Sequence, residues 1–140
     1  MPISSALLPA TPLPQVVHVT PDRGPVPGHD PRSLYVERFW LPILGPTGTW
    51  LMRNFAYRFD HDPDGFTLDL RYVASALGVS VDNSSHAFKR TLERCERLGM
   101  LSLNGDTLTV STSLRTLTVS LVARLPLHLQ AAHRDWYRQP

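Results

Sequence analysis

Apolar positions between Thr47 and Trp136 fall on two periods. Leu51, Phe55 and Phe59 recur at i, i+4 and i+8 and predict a helix over Thr47 to Phe59. Phe66-Thr67-Leu68 has the composition of a short strand. Asp69 then offers an N-cap to a helix with Val73, Ala74 and Leu77 on one side, closed by Gly78. Beyond "VSVDNSS" (Val79 to Ser85), Phe88, Leu92, Cys95 and Leu98 form a second buried stripe. Ser84 or Ser85 is the N-cap and Gly99 the C-terminal stop.

The period then changes from helical to alternating. Leu101, Leu108 and Val110 share one face of a hairpin, while Ser102 and Thr107 take the other. Asn104-Gly105 reads as a two-residue type I′ turn, which sets Leu101 against Leu108, Ser102 against Thr107 and Leu103 against Asp106. The predicted order is strand, helix, turn, helix, hairpin.

Weaker patterns flank this module. "SLYVERFWL" (Ser33 to Leu41) fits a short helix, punctuated by Pro42 and Gly45-Pro46. Leu117 to Leu125 suits strand or helix, with helix favoured from about Ser120. Pro126 opens a last helix through Trp136, with Leu129, Ala132 or His133, and Trp136 on one side. These extra helices have two open uses: packing on their own core, or forming a twofold dimer interface.

Composition changes the picture most at the N-terminus. Eight of the 13 prolines stand at positions 2, 9, 12, 14, 21, 25, 27 and 31, so residues 1–32 read as a flexible, proline-rich arm. Gln15 to Thr20 suits a short strand against some partner. The expected domain is 33–140, beginning near Ser33, and is mainly α with a small β-hairpin wing and extra N- and C-terminal helices. A net charge of +2 and a pI of about 9.0 permit a polyanionic partner. The lone Cys95 excludes an intrachain disulfide and suits a reducing cytoplasm. No apolar run reaches bilayer length, and no secretory signal pattern opens the chain. A cytoplasmic protein without a membrane partner is the expectation.

Candidate chemistry narrows quickly. Asp60, Asp62, Asp64 and Gly65 match the first half of a calcium-binding loop, but Leu68 and Arg71 stand where the ninth and twelfth ligands belong. The six histidines are scattered, and a single cysteine cannot complete a zinc site with them. Cys95 lies inside an apolar stripe, and neither a phosphate loop nor a nucleophile elbow occurs. The expectation is no enzyme and no cofactor.

The cationic side of the helix after Ser84 remains, opposite Phe88. Ala74, Gly78 and Val79, the Phe88 to Leu98 stripe, "ERLGML" (Glu96 to Leu101) and the Asn104-Gly105 hairpin resemble the winged helix-turn-helix superfamily over roughly residues 47–111. "FWLPILGP" (Phe39 to Pro46) with this core is also similar to a group of actinobacterial winged-helix proteins. The resemblance implies a sequence-specific double-stranded DNA-binding protein, a transcriptional regulator, working as a homodimer through its N- and C-terminal helices. Ser85, His86, Lys89 and Arg90 would lie near bases, Arg94 and Arg97 would bind phosphate, Arg71 and Arg53 would reach the flanking backbone, and Ser84 would complete the DNA-binding set of a nucleoid-associated protein. The hairpin has no Lys or Arg between Met100 and Leu114, so it brings no cation to a minor groove. That feature and the proline-rich arm favour the competing reading, a protein-interaction module whose arm docks on a partner.

Overall fold

The computed structural model describes residues 13–79 and 87–138. Four strands, β1 (Val16–Asp22), β2 (Phe66–Asp69), β3 (Leu101–Asn104) and β4 (Thr107–Ser111), form one sheet in the order β2-β1-β4-β3. Around it lie a π-helical turn (Val36–Trp40) and six helices: α1 (Leu41–Leu44), α2 (Pro46–His61), α3 (Leu70–Ala76), α4 (Ala87–Arg97), α5 (Val119–Val122) and α6 (Leu127–Trp136). The fold is therefore mixed α/β with a four-stranded mixed sheet, and the expected mainly α architecture with a small hairpin wing is corrected.

The correction comes from β1. It lies between β2 and β4, antiparallel to the first (Val17 beside Leu68) and parallel to the second (Val19 beside Leu108). Its ends are fastened as well: Leu70 N–H donates to the Gln15 carbonyl, and Thr112 N–H to that of Asp22. Val17 and Val19 are fully buried, each worth about 1.5–3 kcal/mol, whereas His18 between them is exposed. Gly65 lets β1 pass, since a Cβ there would stand 2.5 Å from the Val19 carbonyl oxygen. The folded unit thus takes in residues assigned to the arm and begins upstream of Ser33; residues 1–12 lie outside those described. Prolines exclude helix interiors, not a strand, and this strand finds both its partners far along the chain.

Two local readings shift. The hairpin pairs Leu101 with Val110 and Leu103 with Leu108, so the turn is Gly105-Asp106 and the register differs by two residues from the one predicted. A two-residue displacement keeps every side chain on its face and sets four apolar side chains in opposed pairs. Pro42 does not end the first helix but sits within α1. It has no N–H for the Arg38 carbonyl, and the chain widens into a π turn just before it, with Leu41 N–H reaching back to Val36. Within Leu117 to Leu125 the helix is confined to α5, Val119–Val122, close to the expected start at about Ser120, and Thr118 caps it.

The extra helices pack on the chain's own core. Leu129, Ala132 and Trp136 of α6 lie against it, with the Trp136 ring edge-on to Phe39 at 5.5 Å. Tyr35 is the hub: its hydroxyl accepts Leu117 N–H at 2.9 Å and is hydrogen-bonded to His133 Nε2 at 2.7 Å. His29 stacks on the same ring at 3.7 Å and holds Tyr137 and Thr116 through Nε2. The acidic loop is neutralised by arginines, Asp60 by Arg32 and Asp62 by Arg58.

Two outcomes are expected. Val19→Asp buries a carboxylate without a partner and should cost at least about 3 kcal/mol in chemical denaturation, and a chain that begins at Ser33 should fail to fold. A Ser33 chain with the parent's denaturation midpoint would show that β1 is dispensable. The second outcome concerns pH. Burial pushes His29 and His133 below the usual histidine value, and for His29 the neighbouring His133 adds to the effect. The unfolded chain therefore takes up protons first, so their stabilisation is complete above about pH 6.5 and is lost as pH falls through the lowered folded values. Thermal midpoints should drop from pH 8 to pH 5, and by less in the double variant His29→Gln, His133→Gln. An equal drop in the double variant would place the titration elsewhere.

Candidate nucleic-acid interface

The site is built on α4 and what holds it. Phe88, Leu92 and Cys95 are buried, which fixes the rotation of the helix. Its closest support is α2: a Cβ at Gly48 would stand 3.3 Å from Cys95 Sγ, so the glycine lets the two helices approach. Burial pushes the Cys95 thiol up to about 12, with nearby Arg94 opposing weakly. At the C-terminal end, Met100 N–H bonds to the Cys95 carbonyl and the chain passes directly into β3.

With that face buried, Arg90, Arg94 and Arg97 are exposed at i, i+4 and i+7. They form one stripe, about 10 Å long along the helix axis. Among the described residues no carboxylate stands within ion-pair distance of any of the three. The intrahelical pairs that the spacing allows, Arg90 with Glu93 and Glu93 with Arg97, are not formed. Glu96 turns away instead, and its carboxylate accepts the N–H of Leu103 on the free edge of β3.

Arg97 lines a cleft of about 480 Å³ together with Asp22 and Glu96, and two further clefts open along the stripe. One, of about 220 Å³, is lined by Arg90, Thr91 and Arg94 facing the corner Leu44 to Gly48. The other, of about 530 Å³, is lined by Arg94, Arg97 and Leu98, by Pro42 and Ile43, and by Arg124 from just beyond α5. Neither cleft has an acidic residue in its lining. Arg94 belongs to both, its Nη1 donating to the Leu44 carbonyl at 3.4 Å.

The other predicted site residues are dispersed. Lys89 is half-buried beside the stripe. Arg53 is tied to Glu37 at 3.0 Å and lies over the Trp50 ring, and Arg71 lies 3.8 Å from Asp69, whose carboxylate caps α3. Neither lines the clefts. Ser84, Ser85 and His86 lie outside the described residues. Arg124 was missed, because one arginine between Ala123 and Leu125 carries no pattern that places it beside α4.

No family model, characterised protein or solved structure matches this chain. Among the described residues there is no cluster of three or more metal-ligating side chains, and no helix long and apolar enough to cross a membrane. The hairpin has Thr107, Thr109, Ser102 and Ser111 on its outer side, with Thr109 bonded to Thr20 of β1. That side of the hairpin strands is polar and uncharged.

Because Cys95 anchors the rotation of the stripe, its accessibility reports on it. A thiol reagent at pH 8 should modify the native protein far more slowly than the denatured chain, and Cys95→Asp should unfold it. Rapid native labelling would mean that the helix is rotated and the arginines face elsewhere.

Proposed function

We propose that the protein binds double-stranded DNA through the outer side of α4 and acts in transcription regulation. The observation that carries this reading is the row Arg90, Arg94 and Arg97, exposed and without carboxylate partners among the described residues, on a chain that neutralises other arginines. Arg32, Arg53, Arg58, Arg71 and Arg138 all have an acidic partner. The helix dipole accounts for part of the pattern: cations in the last turn gain about 0.3–1 kcal/mol, which suits Arg94 and Arg97. Arg90 lies a turn earlier and gains little from it. A polyanion supplies the missing countercharge for all three.

A stripe of about 10 Å matches the axial rise of about three base pairs. Arg94 and Arg97 lie beside the larger cleft and suit backbone phosphate. Arg90, nearer the N-terminal end of the helix, suits a base edge. The hairpin plays no cationic part, so affinity rests on the helix side. The helices intended for a dimer interface spend much of their apolar surface on Tyr35, Phe39 and the core, so this reading does not require a twofold operator.

Two arginine variants should separate the roles. Arg90→Ala should cost about 1–3 kcal/mol on a selected site and relax its sequence preference. Arg97→Ala should weaken binding to all DNA similarly and lower the salt dependence by about one unit. Thr107→Ala should change little. If both arginine variants bind DNA like the parent but lose a protein partner, the helix is a protein-docking surface instead.

A further inference from the structure

We infer that the cleft between α1, α4 and the turn after α5 is a seat for a phosphate group, completed by Arg124. Three guanidinium-bearing side chains, Arg94, Arg97 and Arg124, line one cleft of about 530 Å³ whose other lining residues are Pro42, Ile43 and Leu98. None of the three has a carboxylate within ion-pair distance among the described residues. Three like charges around one concavity repel one another, and the apolar remainder of the lining does nothing to relieve them. An oxyanion does, and guanidinium groups offer phosphate oxygens paired N–H donors.

The three side chains start from fixed backbone. Arg94 and Arg97 flank buried Cys95 on α4. Arg124 lies between buried Leu121 and Leu125, in a turn that Gln130 pins by donating to the Leu125 carbonyl at 2.8 Å and the Ala123 carbonyl at 3.4 Å. Arg124 N–H is itself held by the Leu121 carbonyl. A flexible tail would present its charge at random; this turn presents it at one place. The C-terminal helices then have a task besides covering the core, since they bring the third arginine to α4.

The seat shares Arg94 and Arg97 with the proposed DNA surface and rests on that reading to this extent. A backbone phosphodiester and a free phosphate offer the same oxygens, and the test separates them. Inorganic phosphate is titrated into the full chain in low-chloride buffer, and binding is followed by calorimetry and by the rise in thermal midpoint. The parent, Arg124→Ala and Arg124→Gln are compared with Arg134→Ala, which removes the same charge from exposed α6 outside the cleft. In parallel, DNA affinity is measured against salt. The expected result is at least about a tenfold loss of phosphate affinity in both Arg124 variants and none in Arg134→Ala. If the DNA backbone is the natural source, the Arg124 variants also lower the salt slope by about one unit. Loss of phosphate binding with an unchanged DNA slope assigns the seat to free phosphate. Loss of phosphate binding in a protein that never bound DNA keeps the seat and overturns the DNA reading. Arg124 variants that match Arg134→Ala in both titrations overturn the seat and leave the DNA reading standing.

Discussion

The sheet depends on one insertion, the seating of β1 between β2 and β4. A central strand must satisfy backbone donors and acceptors on both edges, and β1 does so with an antiparallel partner on one side and a parallel one on the other. Without it β2 and the β3–β4 hairpin would each expose an edge and lose the floor under Val17 and Val19. With it, the hairpin is fixed relative to α3, which grows directly out of β2 with Asp69 as its cap. Because α4 runs straight into β3, the orientation of its arginines is set by the same insertion. A strand from the start of the chain thereby fixes a surface formed some seventy residues later.

The second constraint is electrostatic and concerns which arginines are neutralised. Arg32, Arg53 and Arg58 are held by carboxylates or lie over aromatic rings and act as structural connectors. Arg115 lies over Trp40 and donates to the Leu98 carbonyl, bracing the end of α4. The α4 arginines sit instead where Glu96 has been drawn off to cap the edge of β3. That hydrogen bond satisfies one outward N–H on the edge of β3, where an unpaired edge would invite another strand. Cations concentrated in this way raise the local potential toward a polyanion more than the small net charge suggests.

The two ends of the folded region meet on Tyr35. His29 approaches from the segment after β1 and His133 from α6, and both rings contact the same side chain. Burial favours the neutral ring in both, with His133 hydrogen-bonded to the Tyr35 hydroxyl and His29 stacked on the Tyr35 ring. The position of α6, and with it Gln130 and the turn bearing Arg124, therefore depends on contacts made by residues near the start of the chain.

Local spacing alone determined much of the core. The stripes Leu51-Phe55-Phe59 and Phe88-Leu92-Cys95, the Asp69 cap and the alternation of the hairpin are all written in neighbouring residues, and each appears with its expected face buried. The hairpin register was less determined, because displacement by two residues leaves the alternation unchanged; opposing Leu103 to Leu108 and Leu101 to Val110 decided it. Residues 16–22 carried the right alternation, but a single short strand among prolines names no partner, and its two lie about fifty and ninety residues away. The candidate site divides the same way. Arg90, Arg94 and Arg97 were legible as one side of an amphipathic helix, because helical geometry is local. Arg124 and the diversion of Glu96 were not, since both follow from where distant segments come to rest on the finished sheet.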